Sequence, residues 1–170
     1  MKNFILLLCV ILLSGCAATY NQVNLLTPTA KLISGKSVLI ATPENGYYGN
    51  REYRTSGRLT VLAVNAAFAK FTNAIKVSSE CKDLSCLKEK EKEPFDYYAI
   101  PEILHWEDRA TEWSGIPDKI EIKLSIFESA AEKEIASTII SGKSKWATFG
   151  GDHPQDLLPE PLDKFIASLY

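Results

Sequence analysis

The segment Ile120-Glu-Ile-Lys-Leu-Ser-Ile126 alternates branched apolar side chains with Glu121, Lys123 and Ser125. Successive side chains of a strand point to opposite faces, so a period of two predicts a sheet with one buried and one wet face. Antiparallel sheets carry that pattern. Ala130 to Lys133 supplies a turn, and Ile135 to Trp146 returns as the antiparallel partner. Upstream, Tyr97 to Trp106 reads as a third strand. Pro101 inside it points to an edge position or a bulge, because proline has no N–H for the ladder.

Before this hairpin the pattern changes. Ser37 to Thr42 is a continuous apolar run, as expected of a strand buried on both faces. Pro43 to Thr55 is a long loop holding Tyr47, Tyr48, Tyr53, Arg51 and Arg54. Ser56 is an expected N-cap for a helix to about Thr72, with Leu59, Leu62, Ala63, Ala66, Ala67 and Phe71 facing inward. Ile75 to Val77 is a short strand. Asp83 then caps a second helix with Leu84 and Leu87 inward, and Pro94 ends it. Pro159 and Pro161 open a last helix whose Leu162, Phe165, Ile166 and Leu169 form one apolar stripe. The expected fold is α/β: a single two-layer sandwich with a mixed sheet, an N-terminal β-α-β-α part, then antiparallel strands and a terminal helix.

The chain has 170 residues, 46% hydrophobic and 24% charged, with a net charge of −2. These values suit one ordinary domain and exclude a disordered chain or a polytopic membrane protein. No basic excess argues for nucleic acid as a partner.

Residues 1–16 read MKNFILLLCVILLSGC. Lys2 precedes an apolar stretch from Phe4 to Leu13, which is too short to span a bilayer core of about 30 Å. Leu13-Ser-Gly-Cys16 resembles the lipobox of bacterial lipoprotein signal peptides. The expected organisation is a signal peptide over residues 1–15, a lipidated tether over 16–35 and one domain over 36–170. Cys16 is the expected site of lipid attachment, and a lipid there anchors the chain to a membrane. Residue 17 is Ala rather than Asp. By resemblance to the sorting rule of Gram-negative lipoproteins, this implies the periplasmic face of the outer membrane. Cys81 and Cys86 remain as a pair in an oxidising compartment. Their spacing suits a local disulfide, which is the expected reading; the rival zinc half-site needs two more ligands, and only the distant His105 and His153 are available.

The most unusual stretch is His105-Trp-Glu-Asp-Arg-Ala-Thr-Glu-Trp-Ser-Gly115. Trp106, Asp108, Arg109 and Trp113, with Trp146, Asp152 and His153 beyond, form a candidate binding surface, since Trp and Arg are favoured at interfaces. The opposing reading has the tryptophans closing an end of the core. His105, Glu107 and His153 are candidates for a metal or hydrolytic site. Arg51, Arg54 and Arg58 around the first helix could hold an anion. No nucleophile elbow, phosphate loop, dinucleotide fingerprint or zinc-protease motif occurs, so no catalytic residue and no cofactor is expected.

The blocks Pro101-Glu-Ile-Leu-His-Trp-Glu-Asp-Arg-Ala-Thr-Glu-Trp-Ser-Gly115 and Gly142-Lys-Ser-Lys-Trp-Ala-Thr-Phe-Gly-Gly-Asp-His-Pro-Gln-Asp156 resemble a bacterial lipoprotein family, that of domain of unknown function 4823. The resemblance implies no activity. The order of elements, with Asp96-Tyr-Tyr-Ala-Ile-Pro-Glu-Ile103 before a long hairpin, is also similar to envelope lipoproteins with the fold of the TolB N-terminal domain, such as penicillin-binding-protein activators. That likeness implies action by binding partners. The expectation is a non-catalytic accessory lipoprotein of an envelope complex, with a periplasmic metal-binding or hydrolytic enzyme as the alternative. Homo-oligomers are a third, structural reading.

Overall fold

Ile120, Ile122, Leu124 and Ile126 are buried to 2% exposure or less, while Glu121 and Lys123 between them keep contact with solvent. A computed structural model of the protein describes residues 18–92, 94–109, 115–131, 133–145 and 153–170. Its elements are β1 (Thr19–Leu26), β2 (Val38–Ala41), β3 (Tyr47–Tyr48), β4 (Arg51–Glu52), α1 (Ser56–Phe68), β5 (Ile75–Ser78), α2 (Leu84–Lys90), β6 (Tyr97–Glu107), β7 (Lys119–Glu128), β8 (Lys133–Lys143) and α3 (Pro159–Leu169). A 3-10 turn, Pro154–Leu157, leads into α3.

Six strands form one mixed sheet in the order β1-β8-β7-β6-β2-β5. β5, β2 and β6 run parallel through the α1 and α2 crossovers, and β6, β7, β8 and β1 are antiparallel. The α/β fold with a mixed sheet stands as expected. In β2, Val38 and Ile40 join the core under α1 and α3, and Leu39 and Ala41 join a second cluster with Leu87 of α2. The short α2 therefore covers one end of the second face, and among the described residues no helix covers the rest of that face, formed by β6, β7, β8 and β1. The parallel strands are tied at their start. The Ser37 N–H and hydroxyl donate to Asp96 Oδ2 at 2.8 and 2.7 Å, and Lys36 Nζ lies 2.9 Å from Oδ1.

Three expectations need correction. Thr19 to Leu26, read as tether, is the edge strand β1, paired with β8 from Thr19↔Lys143 onward. Its residues are mostly exposed, so hydrophobic periodicity gave no sign of it. The inward face of α1 centres on Thr60, Val61, Val64, Ala67 and Phe68; Leu59, Ala63 and Phe71 pack against the core as expected, and only Leu62, at 50%, and Ala66 of the expected set stay exposed. Alanines lie around most of this helix, so apolar spacing alone does not mark Val61, Val64 and Phe68 as the centre of the inward stripe. Ser56 is the first helical residue rather than the cap. Thr55 holds the cap position in the left-handed region at φ 82°, and Ser56 Oγ accepts the Gly46 N–H at 2.7 Å. Asp83 does cap α2, through the Cys86 N–H at 2.9 Å. Pro101 lies past Ala99, the last β6 residue aligned with β2, where the strand has one partner only.

Candidate functional site

A bulge in β6 sets the site. Between Ile103 and His105 the pairing with β7 shifts by one residue, so Leu104 is extra. Before the bulge, Tyr97, Ala99 and Ile103 face α1 and α3; after it, Trp106 does. His105 and Glu107 are thereby turned to the helix-free face, opposite Glu121 and Lys119 of β7.

Glu107 is the centre of the cluster, with its side chain 2% exposed. His105 Nε2 lies 3.1 Å from Oε2, and Lys119 Nζ 3.4 Å from the same oxygen. Arg109 Nε donates to Oε1 at 2.6 Å, and a terminal guanidinium nitrogen also contacts Oε1. Burial is the largest single influence on this carboxyl and by itself raises its pKa. The hydrogen bonds from His105 and Arg109, with the charges of Lys119 and Arg109, outweigh it and hold Glu107 below the usual range.

Arg109 is also fixed by its backbone. Its N–H donates to Asp118 Oδ1 at 2.6 Å, and Asp118 is locked to Ser144 by two bonds of 2.9 Å, Asp118 N–H to Ser144 Oγ and Ser144 N–H to the Asp118 carbonyl. The β3–β4 hairpin supplies aromatic partners. The Arg109 guanidinium lies 4.7 Å over the Tyr48 ring, whose edge-on contact with His105 spans 5.7 Å. Arg51 lies 4.9 Å over Tyr53, whose hydroxyl donates to the Asp108 carbonyl at 3.4 Å. A Cβ on Gly46 would stand 2.5 Å from Trp106 Cβ, so only glycine lets the hairpin lie this close to β6.

Two hollows flank the cluster. A groove of about 690 Å³ on the helix-free face is lined by Thr19, Asn21, Leu104, His105, Lys119 and Lys143, among others. A cleft of about 460 Å³ on the α1 side includes Arg51, Arg54, Asp108 and His153.

Asp108, Arg109 and His153 come together at this rim, with His153 Nδ1 3.8 Å from Asp108 Oδ1. Trp106 does not belong to a surface: it is 2% exposed, because the bulge turns it into the core. Trp113, Trp146, Asp152 and Cys16 lie outside the described residues. Cys81 and Cys86 form a disulfide, with their sulfur atoms 2.02 Å apart. Among the described residues no group of three His, Cys, Asp or Glu side chains is arranged to hold a metal ion. His105 pairs with Glu107, and His153 approaches Asp108. The three arginines are divided, Arg51 and Arg54 in the cleft and Arg58 in a separate hollow with Glu44 and Lys82. Sequence reasoning placed Tyr48 only in a long loop, and missed Asp118, Lys119 and Ser144. Their roles depend on strand register, which alternation alone does not specify.

The fold has solved counterparts. A dodecameric PelC from Paraburkholderia phytofirmans superposes with a TM-score of 0.64 at 11% identity, covering 89% of this chain and 96% of the other. A Xanthomonas campestris protein of the family DUF330 gives 0.53 at 14% identity, covering 88% and 93%. A search of curated proteins gives no match. At such identities the likeness is one of fold. The family follows instead from residues 30–169, which match one family model from just after β1 to the end of α3, so the chain belongs to the family of domain of unknown function DUF4823.

Proposed function

We propose that this chain is an envelope lipoprotein, held by a lipid on Cys16 at the periplasmic face of the outer membrane, where it serves a protein complex as a non-catalytic binding module. The observation that carries the non-catalytic reading is the state of Glu107. Both of its oxygens are engaged, by His105, Arg109 and Lys119, which leaves Glu107 a structural tie rather than a base toward a nucleophile. A buried carboxylate held by Arg109, Lys119 and His105 organises a rim instead, and that rim presents Tyr48, Arg51, Asp108, Arg109 and His153. Tyrosine and arginine on a rigid support are the side chains from which interfaces draw most of their energy. Leu13-Ser-Gly-Cys16 supports the anchor.

Mass spectrometry of the mature protein tests the anchor. A chain beginning at a diacylglyceryl-Cys16 is expected, and one beginning elsewhere overturns the anchor. For the module, envelopes are solubilised and proteins bound to the wild type and to Arg109→Glu are compared. Loss of a defined complex with Arg109→Glu, but not with a distant Lys133→Glu, is expected. Identical recovery with both variants would count against the rim.

Self-association is a second reading, favoured by one observation. Val23, Leu25 and Leu26 are 49%, 52% and 36% exposed on the edge strand β1, an uncovered apolar edge of the kind that pairs with another copy. The similar PelC is a dodecamer. Light scattering of the Cys16→Ser chain tests it, and a strictly monomeric mass would remove it.

A further inference from the structure

The row of residues aligned across the end of the sheet is Thr19, Lys143, Lys119 and Glu107. The next row on the same face is Asn21, Ser141, Glu121 and His105. Lys119 and Lys143 are both exposed; Lys119 also lies 3.4 Å from the buried Glu107, which His105 and Arg109 contact as well, and Glu121 accepts from the Ser141 hydroxyl at 3.1 Å. Leu104 lines the same groove and is 42% exposed. The far end of these strands carries Glu128, Lys133 and Glu134 instead.

The chain reaches this end almost directly from Cys16. Only Ala17 and Ala18 separate Cys16 from Thr19. Three virtual bonds of 3.8 Å bring the two Cα atoms within about 11 Å of each other. Resting on the lipidation of Cys16 proposed above, we infer that the domain does not hang on a tether but stands on the membrane. The groove end of the sheet meets the bilayer, with Lys119 and Lys143 among anionic phospholipid headgroups and Leu104 at the interface. Cationic side chains beside a lipid anchor are the usual second signal that fixes an acylated protein on an anionic surface. The strand ends fix the direction as well. β7 is ten residues long, so its far end stands about 33 Å from the headgroups. The Arg109 rim lies at the near end, so its partner is met at the membrane surface.

The test uses the full chain, purified from bacterial membranes and reconstituted in vesicles of phosphatidylethanolamine with a quarter phosphatidylglycerol. A photoreactive benzoylphenylalanine replaces Leu104 in one preparation and Ser129, in the β7–β8 turn, in another. Mass spectrometry reads both the phospholipid adducts and the lipid on Cys16. Adducts at position 104 at least ten times those at 129 are expected. A fivefold or greater fall is expected when Lys143→Glu is added, or when the vesicles are neutral phosphatidylcholine. Equal adducts at the two positions, on a chain whose Cys16 carries lipid, overturn the docking and leave the anchor standing. Adducts indifferent to Lys143→Glu and to phosphatidylglycerol overturn the headgroup contact. An unlipidated Cys16 overturns the anchor and the docking together. Far-ultraviolet circular dichroism of each variant verifies that it is folded.

Discussion

Asp96 is the carboxylate whose titration bears most directly on stability. The Ser37 hydroxyl, the Ser37 N–H and Lys36 favour its charged form and pull its pKa from 3.8 down to about 2. The folded value lies below the unfolded one, so the contribution is complete above about pH 4 and is lost as pH falls through about 2. The side chain is 36% exposed, so solvent screening leaves about 1 kcal/mol. Asp96→Asn is therefore expected to lower stability by about 1 kcal/mol at pH 7 and by little at pH 2, as read from urea midpoints at both pH values. Thr55 presents the opposite case. A β-branched residue at φ 82° is strained, and residues held in that region cost about 1–3 kcal/mol. Thr55→Gly removes the Cβ clash at the start of α1. A gain of about 0.5–1 kcal/mol is expected after the added freedom of the unfolded chain is counted, and thermal unfolding measures it.

Among the elements, α2 is the most dependent on a covalent tie. It has seven residues, too few to hold together without packing. Only Leu87 of it is fully buried, against Leu39, Ala41 and Tyr98, and the disulfide from Cys86 to the buried Cys81 fixes its first turn. The loop-closure model assigns about 2 kcal/mol to so short a ring. Cys81→Ser with Cys86→Ala is expected to cost about that much in urea unfolding. It should also speed hydrogen exchange of the α2 amides well before those of β7, because the core under α1 and α3 does not include α2. The helix was legible in sequence because Asp83, Leu84 and Leu87 are local signals. β7, β8 and α3 were legible for the same reason: their burial follows a period that belongs to each segment alone. The centre of the inward stripe of α1, the β6 bulge and β1 were not. Each is decided by a partner distant in sequence: α1 by the sheet it packs on, the bulge by the β7 register, β1 by the backbone edge of β8. The site inherits this division. Asp108, Arg109 and His153 were readable as an unusual cluster, whereas the inward turn of Trp106 follows from a single extra residue, Leu104.

At the scale of the whole molecule, β1 stands apart from the rest of the fold. The family match begins at residue 30, after β1 ends at Leu26. Of its neighbourhood only Ala18 and Tyr20 pack on the core, so its pairing rests mainly on backbone hydrogen bonds to β8. Each such bond has a small net worth, because water replaces it in the unfolded chain. Removing residues 17–27 is therefore expected to leave α1, α3 and the β5-β2-β6-β7-β8 sheet folded, at a cost of a few kcal/mol. The deletion also leaves β8 as the edge, with Thr138, Ile139 and Ile140 exposing backbone donors and acceptors over a β-branched run. The expected outcome is a near-native circular dichroism spectrum together with concentration-dependent association in light scattering. Lys at Ile139, which points to the helix-free face, should suppress that association, since a charge on an edge strand disfavours pairing with a second copy. A deleted chain that stays monomeric without the lysine would mean that β8 is protected by something other than β1. A chain that unfolds would mean that β1 is part of the core rather than a cover for its edge.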